Sequence, residues 1–345
     1  MKSEAKFEIR FTKYGIRDMR VLVCGGAGYI GSNMTALLAA EGYEPVVFDN
    51  ISTGHRSAVC NNEFVEGDLD DYELLVKTLK KYNIEAVMHF AAFIEVGESV
   101  QLPLKYYRNN LCCTQNLLSA METVGVKKFV FSSTAAVYGN PKNVPITEDS
   151  PTEPINPYGQ TKLAVEKMCH YQYQAGKLAY VTLRYFNACG AGKNCTLGED
   201  HWLESHLIPL TIQAAMGKRS EINIYGTDYG TPDGTCIRDY VYVEDLCRAH
   251  LLALDRLEQS RELIYNLGSE KGYSVREVIE TVKRVSGKDF KIVETSRRPG
   301  DVPILTADAT RARKELGWKI QMPELEEMIS TAWRWHNEHP NGYPD

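Results

Sequence analysis

The stretch that most restricts this chain is Arg20-Val-Leu-Val-Cys-Gly-Gly-Ala-Gly-Tyr-Ile-Gly-Ser32, an apolar strand that runs into Gly25, Gly28 and Gly31 and then into a helical pattern. A turn this tight needs residues that tolerate positive φ and close backbone approach, which glycine alone does freely. The helix that follows presents unpaired N–H groups and positive potential at its start, so the same turn suits a pyrophosphate. The spacing is GxxGxxG, a moderate signal by itself, and its context has to carry the rest.

That context is an alternation. Apolar runs of strand length occupy residues 21–23, 45–48, 86–90, 129–131 and 179–183, and helical periodicity lies between several of them, at 29–41, 72–82, 102–124 and 158–175. Nearly all-apolar strands alternating with helices predict an α/β fold: a Rossmann-like, doubly wound parallel sheet covered on both faces. After about residue 187 the alternation breaks, and Gly, Asp and Pro cluster at 226–234 and 297–303. The predicted organisation is an extension over 1–18, a nucleotide-binding domain over 19–188 and a smaller C-terminal substrate-binding region over 189–345. A segment of about 236–262 is expected to return to the first domain.

Charge and composition narrow the partners. The net charge is −6 and no basic stripe is present, which argues against nucleic acid and anionic membrane surfaces. No apolar run approaches the roughly 18–20 residues that cross a bilayer, and the leading segment mixes Lys2, Lys6, Arg10, Lys13 and Arg17 with Glu4, Glu8 and Asp18, unlike a targeting peptide. Nine scattered cysteines without a CxxC pair fit reduced thiols in a cytoplasmic protein.

Two further constellations point to chemistry. The second strand ends in Phe48-Asp49-Asn50, eighteen residues beyond Gly31. A carboxylate there accepts from a ribose and repels a 2′-phosphate, so Asp49 favours NAD over NADP. Asp68 follows a third short strand, where it contacts the adenine or caps the next helix. The segment Asn156-Pro-Tyr-Gly-Gln-Thr-Lys162 opens a helix, with Asn156 suited to the N-cap and Pro157 to the first position. Tyr158 and Lys162 then share one face, and a cation beside a phenol lowers its pKa, so Tyr158 is expected to act as a base near neutral pH. A YxxxK pair alone is weak. Here it follows a strand ending Phe131-Ser-Ser-Thr134, where the Ser132 and Thr134 hydroxyls sit at the carboxyl edge of the sheet.

With these residues in place, and with His89-Phe-Ala-Ala92, Leu183-Arg-Tyr-Phe-Asn187, Ile237-Arg-Asp-Tyr240 and Arg298-Pro-Gly-Asp301 in the same order, the chain resembles the extended short-chain dehydrogenase/reductase family and, within it, the UDP-glucose 4-epimerases. The resemblance runs from about residue 19 to 345. It implies NAD contacts from Gly25, Gly28, Tyr29, Ile30, Gly31, Asp49, Asn50, Asp68, Leu69, Phe90, Ala91, Ala92, Asn109, Ser132, Lys162 and Tyr185. It implies UDP-sugar contacts from Thr134, Tyr158, Asn187, His206, Leu207, Asn223, Tyr225, Arg238, Arg298, Asp301 and Leu305. The catalytic set is Tyr158, Lys162 and Thr134, and the implied reaction oxidises C4 to a ketone and reduces it again from the other face. A homodimer through two long helices is also implied.

Some positions depart from the family pattern. Ile94 stands where some relatives have lysine, and His206 where many have asparagine. Leu305 falls where residue size tracks acceptance of N-acetylated sugars and leans towards unmodified ones. No metal is expected, because His201 and His206 are five apart with no further ligands evident. Ala135 and Ala136, after Thr134, argue against dehydration and decarboxylation, which need an acid or base there. A 4-epimerase of UDP-xylose (giving UDP-arabinose) or of UDP-glucuronate stays as the alternative enzyme, and a non-catalytic NAD-sensing regulator as the alternative of another class.

Overall fold

The protein is described here by a computed structural model covering residues 18–257, 261–298 and 300–345, so residues 1–17 of the expected extension lie outside the described residues. In chain order the first half runs β1 (Arg20–Cys24), α1 (Tyr29–Ala40), β2 (Glu44–Asp49), β3 (Glu63–Glu66), α2 (Tyr72–Lys81), β4 (Ala86–His89), α3 (Val96–Gln101), α4 (Pro103–Tyr106), α5 (Cys113–Val124), β5 (Lys128–Thr134), α6 (Pro157–Gln174) and β6 (Ala179–Tyr185). The second half continues with β7 (Asn187–Cys189), α7 (Leu207–Ala215), β8 (Glu221–Tyr225), β9 (Ile237–Tyr242), α8 (Val243–Arg256), β10 (Glu262–Leu267), β11 (Gly272–Ser274), α9 (Val275–Ser286), β12 (Lys291–Thr295), β13 (Ile304–Leu305), α10 (Thr310–Leu316) and α11 (Leu325–Glu338).

Seven strands form one parallel sheet in the order β10-β6-β5-β4-β1-β2-β3. The central strands alternate their side chains between two apolar layers. In β1, Val21 and Val23 join Met34 and Leu246 on one side, while Leu22 and Cys24 join Leu75, Leu117 and Phe129 on the other. Burial of such a side chain contributes about 1.5–3 kcal/mol. This two-sided burial is why the strands read as unbroken apolar runs. The chain winds outwards from β1 in one direction through β2 and β3, then returns to β4 and continues the other way, which opens a crevice between β1 and β4 at the carboxyl edge.

Two elements of the C-terminal half belong to this sheet's layers: α8 packs on α1, and β10 pairs with β6 at the edge. The rest of the C-terminal half builds a small sheet around β9, which pairs with β7, β11 and β13, and a separate β8–β12 pair. One expected element differs. The single helix predicted over 102–124 is divided: Leu102 breaks from helical geometry, Pro103 starts α4, and residues Tyr107–Cys112 widen into a π turn before α5. Asn110 lies in that turn, where its amide pairs with both backbone groups of Phe93, at 2.9 Å each. A side chain held in place to brace a neighbouring loop sits where the helix departs from regular geometry, as π turns at functional sites commonly do.

His89 is buried at the end of β4, with Nε2 2.8 Å from the Thr114 hydroxyl, and burial pushes its pKa down to about 3. The unfolded chain takes up a proton near pH 6.5 that the native state refuses. The stability this residue contributes is therefore present above pH 6.5 and lost as pH falls towards 3, by about 1.4 kcal/mol per unit at most. Unfolding titrations at pH 7.5 and 5 are expected to show a smaller loss of stability for His89→Gln than for the parent.

Candidate active site

The glycine turn closes against the strand beside it. Gly25 has φ +79°, and a Cβ there would lie 2.4 Å from the Ala91 nitrogen. A Cβ on Gly31 would lie 2.0 Å from the Gly25 carbonyl oxygen. Gly28, the N-cap of α1, meets only the Gly25 oxygen at 3.5 Å, which leaves the helix N-terminus approachable. Gly31→Ala is expected to cost at least tenfold in nucleotide retention, about 1.4 kcal/mol, measured by chromatography of nucleotide released from purified protein.

Asp49 ends β2 and accepts from the backbone N–H groups of Ala27, at 3.0 Å, and Ile51, at 2.9 Å. Burial raises its pKa, and those donors oppose the rise. Asn50 donates to Asp68 at 2.8 Å, and Asp68 also accepts from the Asp70 N–H, so these three predicted contacts share one corner of the crevice. Leu69 is buried beside them. On the opposite rim Phe90 meets the His250 ring at a tilt, with ring centres 5.0 Å apart, and Phe90 and Ala91 donate their N–H groups to the Cys24 carbonyl, while Ala92 follows half-buried. Ile30 is partly buried against the core at the start of α1. The Tyr29 hydroxyl is committed to the protein, donating to the Gly190 carbonyl at 2.6 Å. Asn109 donates to Asn110 at 2.9 Å. A glycine cradle that a Cβ would fill, an approachable helix N-terminus and a fixed carboxylate together fit a dinucleotide without a 2′-phosphate.

Asn156 caps α6, accepting from the Gly159 N–H at 2.9 Å, with Pro157 at the first position. This places Tyr158 at the end of β5, near enough to Thr134 for that hydroxyl to act on the phenol, with Lys162 one turn further along the helix. The Lys162 ammonium is buried and donates to the Ser132 carbonyl at 2.9 Å, 5.1 Å from the centre of the Phe131 ring. Ser132 also bonds its hydroxyl to that of Tyr185.

The expectation that Lys162 acidifies Tyr158 needs correction for the protein alone. Burial pushes Tyr158 up to about 12; the Thr134 hydrogen bond opposes that, and the Glu95 carboxylate adds to it. Burial also pushes Lys162 down to about 7, against the pull of Glu166. The lysine donates to a strand carbonyl, and the group that lowers Tyr158 is Thr134.

Glu166, which the sequence reading missed, lies one turn beyond Lys162 and is buried. It takes two hydrogen bonds from Arg184, at 3.0 and 2.6 Å, and one from Ser133 at 2.5 Å. Arg184 also donates to the Tyr138 hydroxyl, which donates to Asn266. The available signal was spacing: Lys162 and Glu166 are four apart on a helix whose inner face is buried.

Five of the predicted substrate residues, Tyr225, Arg238, Arg298, Asp301 and Leu305, are linked to one another. Arg298 forks onto Asp301 at 3.2 and 3.0 Å, and its guanidinium lies 5.5 Å from the centre of the Tyr225 ring. Arg238 donates to the Ile237 and Val302 carbonyls and lies 3.9 Å from Asp301. Leu305 pairs with Arg238 across β13 and β9 and packs by Val137 and Tyr138. Asn187 opens β7, Asn223 shares β8 with Tyr225, Leu207 opens α7 and His206 is its N-cap.

The chain matches the NAD dependent epimerase/dehydratase family over residues 21–268. It is 49% identical over 326 residues to a UDP-glucose 4-epimerase of Halalkalibacterium halodurans, covering 94% of this chain and 98% of that protein. The crystal structure of UDP-glucose 4-epimerase from Brucella ovis in complex with NAD superposes with a TM-score of 0.89 at 49% identity, covering 92% of this chain and 98% of that one. The Bifidobacterium longum enzyme, solved with NAD+ and UDP, gives 0.90 at 38% identity, covering 94% and 100%. By sequence over nearly its whole length and by fold, this chain belongs to the NAD-dependent epimerase/dehydratase family, among the UDP-glucose 4-epimerases.

Proposed function

We propose that this protein inverts C4 of UDP-glucose and UDP-galactose with a tightly held NAD. The observation that carries the reading is the placement of Tyr158 and the buried Lys162 on one helix at the carboxyl end of β5, where Lys162 donates to the Ser132 carbonyl at 2.9 Å and Thr134 acts on the phenol. NAD, when bound, supplies the acceptor and donor of the C4 hydrogen. Tyr158 takes the proton of the 4-hydroxyl and later returns it. Thr134 stabilises the phenolate by donating to it, and Lys162 holds a positive charge and donors beneath the reacting ring. Arg238 and Arg298 anchor the diphosphate, a role suited to guanidinium forks. Remote anchoring lets the sugar turn over while its ketone stays captive. Leu305, which packs on the cluster holding Val137 and Tyr138, is the residue that sets the preference for an unmodified hexose in this reading.

The family cofactor ends each cycle unchanged, so purified protein is expected to convert UDP-glucose to UDP-galactose without added NAD. Proton NMR of the anomeric signals checks this. Conversion of UDP-xylose or UDP-glucuronate in preference to both hexoses would replace this substrate with the alternative one, and no conversion by NAD-replete protein would remove the reading.

The protein also pairs with a second copy through α4 and α6. Leu104 is 81% exposed and Tyr171 68%, with Val100, Leu102 and Tyr107 exposed nearby, an apolar face that a lone soluble chain rarely leaves open. Sedimentation of the parent as a dimer and of Leu104→Glu as a monomer is the expected result. All nine cysteines are free thiols, which suits the reducing cytoplasm, and among the described residues no helix is long and apolar enough to cross a membrane.

A further inference from the structure

Between β7 and α7 the chain runs through residues 190–206 without a regular element. Residues of this loop make contacts in two separate places. On one side Asp200 accepts from the Tyr343 N–H and approaches His55, and Trp202 stacks on His55 with ring centres 5.5 Å apart. On the other side Glu199, His201, Glu204 and His206 converge, with one ligand-type atom from each lying within 4.8 Å of all the others.

Three of the separations inside this group lie close to those of a coordination shell. His206 Nδ1 lies 3.0 Å from Glu199 Oε1 and 3.2 Å from Glu204 Oε1, and His201 Nε2 lies 3.5 Å from Glu199 Oε1. A tetrahedral ion with bonds of about 2.0–2.1 Å has ligands about 3.3–3.4 Å apart. The charges point the same way. The side chains of Glu199 and Glu204 are 7% and 6% exposed, so two carboxylates are buried together with imidazoles as their neighbours. Buried carboxylates require compensating positive charge, which one divalent ion supplies in full. Glu204 is already oriented, because its Oε1 accepts from the backbone N–H groups of Ser205 and His206 at 2.8 and 2.7 Å. Oriented ligands of this kind mark metal sites.

We propose that Glu199, His201, Glu204 and His206 bind one divalent metal ion of the zinc type, through two nitrogens and two carboxylate oxygens. The sequence spacing of His201 and His206 hid the site, because two of its four ligands are glutamates that only the folded loop brings in. The ion is structural. It clamps the loop whose Ser205 hydroxyl bonds to Glu95 at 2.7 Å and whose last residue caps α7, so it sets the wall of the substrate cleft while taking no part in the chemistry at Tyr158.

The test uses NAD-loaded full-length protein, stripped with chelator, desalted and titrated with Co2+. The expected result is one equivalent bound, with the visible absorption of a four-coordinate site and no thiolate charge-transfer band, and its displacement by Zn2+. His201→Ala and Glu204→Gln are each expected to weaken binding by more than about 100-fold, beyond the loss caused by removing an outer partner. His170→Ala, at the exposed pair with Glu262, should bind like the parent. An anomalous-scattering map at the zinc edge on unmodified crystals locates the ion without relying on any variant's folding. Absence of stoichiometric binding, a sulfur-type spectrum, an ion found elsewhere, or unchanged affinity in both folded variants would each overturn the proposal. None of these readouts depends on epimerase activity.

Discussion

Tyr158→Phe is expected to keep its fold and its NAD and to lose about 10²- to 10⁴-fold in kcat, the range that a positioned acid–base group contributes. The change removes one oxygen. The ring still fills the space at the start of α6, and the glycine turn, Asp49 and Lys162 are untouched, so released NAD should match the parent while turnover falls. An equal fall in kcat and kcat/KM would mark an interaction made only in the transition state. Thr134→Val sharpens the reading. Thr134 opposes the burial that raises the phenol, so its loss should raise the phenol further, lower kcat and move the ascending limb of the rate profile to higher pH. A Phe variant with parental turnover would take Tyr158 out of the mechanism.

The second large effect is on stability. Glu166→Leu leaves the Arg184 guanidinium buried without its carboxylate, and breaking such a pair from one side costs about 3–5 kcal/mol. The midpoint of a urea titration should fall accordingly. The double variant Glu166→Leu/Arg184→Leu is expected to be more stable than the single one, because an apolar pair removes the orphaned charge along with its partner. Activity is affected separately. Glu166 is the group that holds Lys162 up against desolvation, so Glu166→Gln, even if well folded, should drive the lysine towards its neutral form and weaken its grip beneath the reacting ring. If Glu166→Leu unfolds at the parental midpoint, the Glu166–Arg184 pair adds nothing to the fold.

These two results mark where reading the chain stopped. The parallel sheet was legible because each central strand is buried on both faces, and residues such as Leu22 and Val23 must both be apolar for that to hold. The glycine turn was legible because Gly25 and Gly31 answer to local geometry, namely a positive φ and a carbonyl 2.0 Å from any added carbon. The capped start of α6 is likewise local, with Asn156, Pro157 and Tyr158 consecutive in the chain.

What the local pattern could not carry was distance between segments. Whether the Lys162 ammonium faces a phenol or a strand carbonyl depends on how closely α6 packs on β5, and the outcome was the Ser132 carbonyl. The π turn at Tyr107–Cys112 holds Asn110, whose amide reaches across to Phe93, seventeen residues away. Arg184 and Glu166, eighteen apart, become a buried pair only when β6 lies beneath α6. Strand burial, turn strain and helix capping are settled within a few residues of chain, so sequence alone determined the sheet and the catalytic helix. Charge pairing and pKa depend on through-space separation and exclusion of water, and only the tertiary structure decided those.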